Sequence, residues 1–239
     1  MKRHHYLTNL ILTIKDFLFP SACALCEKSL LGEEEIAYGL CLECKGTITI
    51  ADGNKCGICG KPLVSELDTC LPCRGSAERS FERLWVLYPY TGKYRKLLTA
   101  YKFNKQLSIA NFFAREILNL INNEALLQDS VIVPVPPRPG KIKHSGWDQV
   151  DHLANVIKKT SNRTISRVLK RRKSKVQKEL NRVERLENLK GRIYTQGTAP
   201  EIALIIDDVI TTGSTMEVCA QVLKEAGAKK VYGLCLFYD

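Results

Sequence analysis

No apolar run in this chain reaches 18 residues, so the sequence offers no candidate for a membrane-spanning helix. No internal repeat is visible apart from paired cysteines. Between Cys23 and Cys73 no cysteine stands alone: all eight fall in Cys-x-x-Cys pairs, which a secreted disulfide scaffold does not usually show. The segment around them also lacks long apolar runs, so it cannot build much core of its own and needs metal to hold it. Acidic residues are scarce in one place. From Lys158 to Arg192, 3 Glu stand against 14 Lys or Arg, and that excess equals the net charge of +11 carried by the whole chain. The remainder is electrically balanced.

What is present is enough for a packed core. The chain has 239 residues, 45% of them apolar, which suits one or two domains and argues against disorder. A sequence pI of about 9.2 favours polyanionic partners without choosing among them. The basic stretch reads either as a solvated helix face or as an electropositive surface beside a phosphate site or along a nucleic-acid backbone. Cys219 and Cys235 lie in apolar surroundings and are expected to be buried structural thiols.

Three zones follow along the chain. Residues 1–19 carry Leu7, Leu10, Ile11, Ile14, Phe17 and Leu18 at helical spacing, interrupted by Lys15 and Asp16, which fits a short amphipathic helix better than a signal peptide. Residues 20–76 are cysteine-rich. Residues 80–239 read as α/β. Strands are expected at Leu84–Tyr88, Val131–Val133, Ala203–Ile206 and Lys230–Phe237, and helices near 94–103, 109–122, 148–159 and 216–226. The apolar strand runs do not alternate, as in a parallel sheet covered on both faces.

The cysteine pairs are Cys23/Cys26, Cys41/Cys44, Cys56/Cys59 and Cys70/Cys73. Zn²⁺ takes four ligands in a tetrahedron, and each Cys-x-x-Cys turn supplies two. Eight thiolates therefore imply two structural zincs. The simplest partition joins the first two pairs and the last two; an interleaved partition satisfies the same count. Gly60, just after Cys59, permits the positive φ that such a knuckle often needs.

Near the C-terminus the run Leu204-Ile205-Ile206-Asp207-Asp208-Val209-Ile210-Thr211-Thr212-Gly213-Ser214-Thr215 places two carboxylates at a strand end, then a loop, then a helix. Hydroxyls of Thr211, Thr212, Ser214 and Thr215, a close approach at Gly213 and the free N–H groups of a helix start suit a phosphate. Adjacent carboxylates suit vicinal hydroxyls, as on a ribose.

This run resembles the signature of type I phosphoribosyltransferases. With the cysteine array before it, the chain resembles the ComF family, in which a double zinc ribbon precedes a transferase-like domain. Phe19-Pro20 before Cys23, Tyr90-Thr91-Gly92, Lys102-Phe103, Val133-Pro134-Val135-Pro136, and Gln177, Leu180, Arg185 and Asn188 carry that likeness. The resemblance implies a twisted parallel sheet with helices on both faces. It implies phosphoribosyl pyrophosphate (PRPP) with Mg²⁺ as ligand, Asp207 and Asp208 on the ribose hydroxyls, and Val209–Thr215 around the 5-phosphate. It places Pro134, Val135, Pro136, Arg138 and Lys141 on the pyrophosphate side. Arg171, Arg172, Lys173, Lys175, Gln177 and Arg185 would form a basic loop. It further implies a cytoplasmic role in natural transformation, with single-stranded DNA and the uptake machinery as partners. Where the family commonly shows Arg-Gly-Phe-Asn-Gln, this chain has Ser145-Gly146-Trp147-Asp148-Gln149. That departure leaves two functions open: a phosphoribosyltransferase of unknown acceptor, or a non-catalytic module that handles single-stranded DNA. Trp147 and Tyr101 are candidate stacking residues for the second, and Phe103 is expected in the core.

Overall fold

In the computed structural model, residues 21–50, 54–56, 58–63, 69–74, 79–172 and 191–239 are described. The N-terminal helix expected over 1–19, and Lys173, Lys175, Gln177 and Arg185 of the basic loop, lie outside them. Two compact units emerge.

The first unit joins the described residues up to Thr49 with Gly92–Phe112. It holds helices α1 (Glu33–Tyr38) and α2 (Leu42–Thr47), the longer α4 (Gly92–Lys102), and the start of α5 (Ile109–Asn123). Gln106 Nε2 donates to the carbonyl of Ala22 at 2.7 Å, and Asn111 Nδ2 donates to that of Ala37 at 2.8 Å, tying the cysteine turns to α5. Within α4, Leu97, Leu98, Ala100 and Tyr101 form the buried stripe. Tyr101 is fully buried, which removes it as a stacking residue, whereas Phe103, one residue past the helix end, is 66% exposed.

The second unit takes Ile50–Thr91 and Phe113–Asp239. After α3 (Leu71–Arg74), its sheet contains β1 (Arg83–Pro89), β2 (Val131–Pro134), β5 (Ile202–Ile210) and β6 (Lys230–Tyr238). The order is β1-β6-β5-β2, with every pairing parallel. Helices α6 (Lys141–Ser145) and α7 (Gln149–Thr160) follow β2, and α8 (Ser214–Glu225) follows β5. Leu84, Val86, Val133, Ala203, Ile205 and Val231 pack in one cluster with Met216, Cys219, Ala220 and Leu223 of α8. The intervening Leu204 and Ile206 are equally buried, and α7 packs on β2 and β5, so both faces are covered. The fold is a parallel sheet with helices on both faces, preceded by a cysteine-rich region. A small antiparallel ribbon pairs β3 (Leu169–Arg171), inside the basic stretch, with β4 (Ile193–Thr195), just past its end. It escaped the sequence reading, because three-residue strands carry no periodicity.

None of the eight paired cysteines is in a disulfide, and they converge as two quartets. Cys23, Cys26, Cys41 and Cys44 form one, and Cys56, Cys59, Cys70 and Cys73 the other, with all sulfurs of a quartet within 4.8 Å. Cys26 Sγ lies 3.7 Å from Cys41 Sγ, and Cys59 Sγ lies 3.7 Å from Cys70 Sγ. A tetrahedron with Zn–S bonds of about 2.3 Å has edges of about 3.8 Å, so both quartets fit zinc, and the sequential partition is the one present. Each quartet is a structural zinc site. Backbone N–H groups point at sulfur, from Cys44 to Cys41 at 3.4 Å and from Cys70 to Cys56 at 3.3 Å. Burial opposes ionisation of Cys23, yet N–H donors from Cys26, Cys41 and Leu25 outweigh it and bring the thiol down to about 7. Burial likewise opposes Cys56, and donors from Cys59, Cys70 and Ile58 bring it to about 6. Each quartet thus contains one thiol already disposed to lose its proton.

The second quartet is fastened to the sheet. Leu84 N–H donates to the carbonyl of Ile58 at 3.1 Å. Gly60 has φ of 68°, and a Cβ there would sit 2.5 Å from the Leu84 carbonyl oxygen. Gly60→Ala should therefore lose about 1–2 kcal/mol to the left-handed backbone and about 1–3 kcal/mol to overpacking, read as a lowered urea midpoint. Gly46, inside α2 with nothing within 4 Å, is the control. Its change to Ala should be neutral or gain up to about 1 kcal/mol. Metal analysis should find two zincs per chain, one per quartet. Cys41→Ser and Cys70→Ser should each remove one, and retention of both in either variant would break the partition.

Candidate functional site

The site forms where β2 and β5 end side by side. Val131 to Pro134 pair with Ala203 to Ile206 in register. Pro134 has no N–H to continue the ladder, and after Val135 N donates to the Ile206 carbonyl at 3.0 Å the chain turns away through Pro136 and Pro137. Among the described residues, no strand pairs with β5 on that side beyond Ile206. Its other neighbour, β6, holds it through Asp207, Val209 and Ile210. The sequence suggested a strand ending at Ile206 and a loop from Val209. The strand instead runs to Ile210, because the parallel partner carries its hydrogen bonds four residues further.

Asp207 and Asp208 are thus strand residues at an open edge. Asp207 Oδ1 accepts from the Asp208 N–H at 2.8 Å. Asp208, which is buried, accepts from the Val209 N–H on Oδ1 at 2.9 Å and from Gln149 Nε2 on Oδ2 at 2.6 Å. Val209 is half-buried and Ile210 packs into the core, so those two serve the strand. Thr211 is exposed. Gly213, with φ of 78°, caps α8, which begins at Ser214, two residues before the expected start. Thr212 and Ser214 share a hydroxyl hydrogen bond of 2.9 Å, which shapes the turn, and Thr215 lies half-buried in the first helical turn. Gly233 on β6 lets α8 come this close: a Cβ there would be 2.9 Å from Met216 Sδ.

The predicted pyrophosphate-side residues divide. Pro134, Val135 and Pro136 are buried and shape the wall, while Arg138 is exposed. Lys141 pairs with Asp148 at 2.6 Å and also donates to the Gln149 amide oxygen. Ser145 Oγ donates to the carbonyls of Lys141 at 2.7 Å and Trp147 at 2.9 Å, closing α6, and Asp148 caps α7. Both departures from the family pattern are therefore built into local structure. From the basic stretch, Arg171 on β3 comes to the site and Arg172 points outward. Burial lowers the Arg171 pKa, and the like charges of Arg138 and Arg192 lower it further, while Asp207 and Cys219 favour its charge. Arg172 stacks on Tyr194 at 4.8 Å. Sequence reasoning missed Arg192 and Gln149 as site residues. Their approach depends on the β3–β4 ribbon and on how α7 packs, neither of which leaves a local pattern. Cys219 and Cys235 are buried, as expected, and burial raises both thiols above their ordinary range.

Comparison with known proteins bears on both units. Residues 14–74 match the family model described as a double zinc ribbon domain. The competence protein ComFC of Bacillus subtilis is 26% identical over 196 residues, covering 79% of each chain. The DNA utilization protein YhgH of Escherichia coli K12 is 29% identical over 230 residues, covering 91% of this chain and 96% of its own. Among solved structures, a purine phosphoribosyltransferase from Pyrococcus horikoshii aligns with a TM-score of 0.31 at 17% identity, covering 54% of this chain and 80% of its own. A double zinc ribbon is matched at the N-terminal end, and the chain is similar to competence and DNA utilization proteins of the ComF type over most of its own length and of theirs.

Proposed function

We propose that the chain binds PRPP, with Mg²⁺, in the crevice at the ends of β2 and β5, and that it acts in DNA uptake or utilisation, in the cytoplasm. The observation that carries the ligand is the succession on one strand and turn: two carboxylates at an open edge, then Thr211–Thr215 at the start of a 12-residue helix. Asp207 and Asp208 would hold the ribose hydroxyls. The N–H groups and hydroxyls of Thr211–Thr215 would take the 5-phosphate, aided by the helix dipole. Arg138, Arg171 and Arg192 crowd like charges near Asp207 at a cost that a diphosphate would relieve. Bound Mg²⁺ would neutralise negative charge on the pyrophosphate. If transfer follows, pyrophosphate leaves the anomeric carbon through an oxocarbenium-like state. The protein contributes position and charge rather than a covalent nucleophile. The DNA role rests on the likeness to a competence protein and a DNA utilization protein.

Calorimetric titration should show saturable PRPP binding that needs Mg²⁺. Asp207→Asn should weaken it about tenfold or more, as loss of a charged hydrogen-bond acceptor does. No binding at millimolar PRPP would overturn the reading. Pyrophosphate release across a panel of nucleobase and amine acceptors then decides whether transfer occurs.

A second reading, a non-catalytic single-strand binding module, is favoured by the Arg172–Tyr194 stack at the ribbon that borders the basic stretch. Charge reversal at Arg171, Arg172 and Lys173 should weaken binding of a labelled oligonucleotide. It should also flatten the log–log salt slope by about 0.7 for each phosphate that is no longer neutralised. Unchanged affinity in anisotropy titrations would reject this surface.

A further inference from the structure

The Ser145–Gln149 segment does more than close α6 and start α7. Asp148 Oδ1 accepts the N–H groups of Val150 at 2.9 Å and Asp151 at 3.0 Å. Its Oδ2 accepts from Lys141 Nζ at 2.6 Å. The same ammonium donates to Gln149 Oε1, and Gln149 Nε2 donates to Asp208 Oδ2 at 2.6 Å. Asp148, Gln149 and Asp208 are exposed by only 6%, 6% and 8%. The direction of the amide is set by its flanking charges. Its oxygen faces an ammonium and its NH₂ faces a carboxylate; turned over, it would set oxygen against carboxylate and NH₂ against ammonium, two repulsions in a buried site. The Lys141–Asp148 pair thus dictates which end of Gln149 meets Asp208. Gln149 in turn fixes the plane of a carboxylate whose other oxygen is held by the Val209 N–H.

We propose that Lys141, Asp148 and Gln149 are positioning residues for Asp208, a relay that aims its carboxylate at the vicinal hydroxyls of a phosphoribosyl ligand. The proposal deepens the PRPP reading and rests on it for the ligand, but the relay itself is testable without one. Gln149 reaches Asp208 across 59 positions of sequence, so the relay also couples the segment after the proline loop to the strand that carries both carboxylates. Lys141 acts on the ligand through Gln149 rather than by touching pyrophosphate. Asp148→Asn can keep the helix cap while removing the charge that anchors Lys141.

The first experiment is ¹H–¹⁵N NMR of the ligand-free full chain. One side-chain NH₂ signal, absent in Gln149→Leu, should exchange slowly with solvent. It should shift in Asp208→Asn and again in Lys141→Met. A Gln149 amide that exchanges freely, or that ignores both substitutions, overturns the relay whether or not PRPP binds. The second is a calorimetric double-mutant cycle with PRPP and Mg²⁺. Gln149→Leu should raise the Kd about tenfold, Asp148→Asn should raise it less, and Gln149→Leu should add less than twofold in an Asp208→Asn background. A Gln149→Leu effect equally large in both backgrounds marks a general packing role and rejects positioning. A wild type that binds no PRPP rejects the ligand reading alone, because the NMR result still stands or falls independently.

Discussion

The parallel pairing of β5 with β6 is the constraint on which the site depends. On its other side β5 loses its neighbour at Pro134, and from Asp207 onward no strand pairs with that edge among the described residues. Two adjacent carboxylates would ordinarily loosen a strand, since Asp is a poor strand former. Here the ladder to Cys235, Phe237 and Tyr238 carries the backbone through them and delivers Thr211 directly into the turn before α8. Ligand crevices of open α/β sheets lie beyond the carboxyl ends of their strands, and a proline ending one strand early is a simple way to make one.

Charge is organised around that crevice in layers. Asp207 stands near Arg171, which is crowded by Arg138 and Arg192. Asp208 accepts from a backbone N–H and from an amide. The ion pair of Lys141 with Asp148 sits a step further out, linked to Asp208 through Gln149.

Much of this was legible in the sequence. Strands without alternation announced a sheet buried on both faces, and all four expected strands lie in it. The cysteine pairs announced two quartets, and Gly60 the knuckle's positive φ. The extent of β5 was not legible, because Asp207–Asp208 reads as a strand's end when the partner is unseen. Phe103 looked like core at the close of an amphipathic helix, but α4 stops at Lys102 and leaves it exposed. Gln149 was noticed only as part of a likeness, since nothing local links it to Asp208. The cysteine zone reads as one segment, whereas its quartets belong to different units: the first with α4, the second with the sheet.

The seating of the second quartet has a consequence for how the chain behaves in a crowded cell. β1 is an edge strand, and both polar groups of Leu84 face the knuckle: its N–H meets Ile58, and its carbonyl lies against Gly60. Unpaired strand edges are templates for pairing with other chains. The second quartet, by meeting Leu84 on both its polar groups, covers part of the edge that β1 would otherwise present.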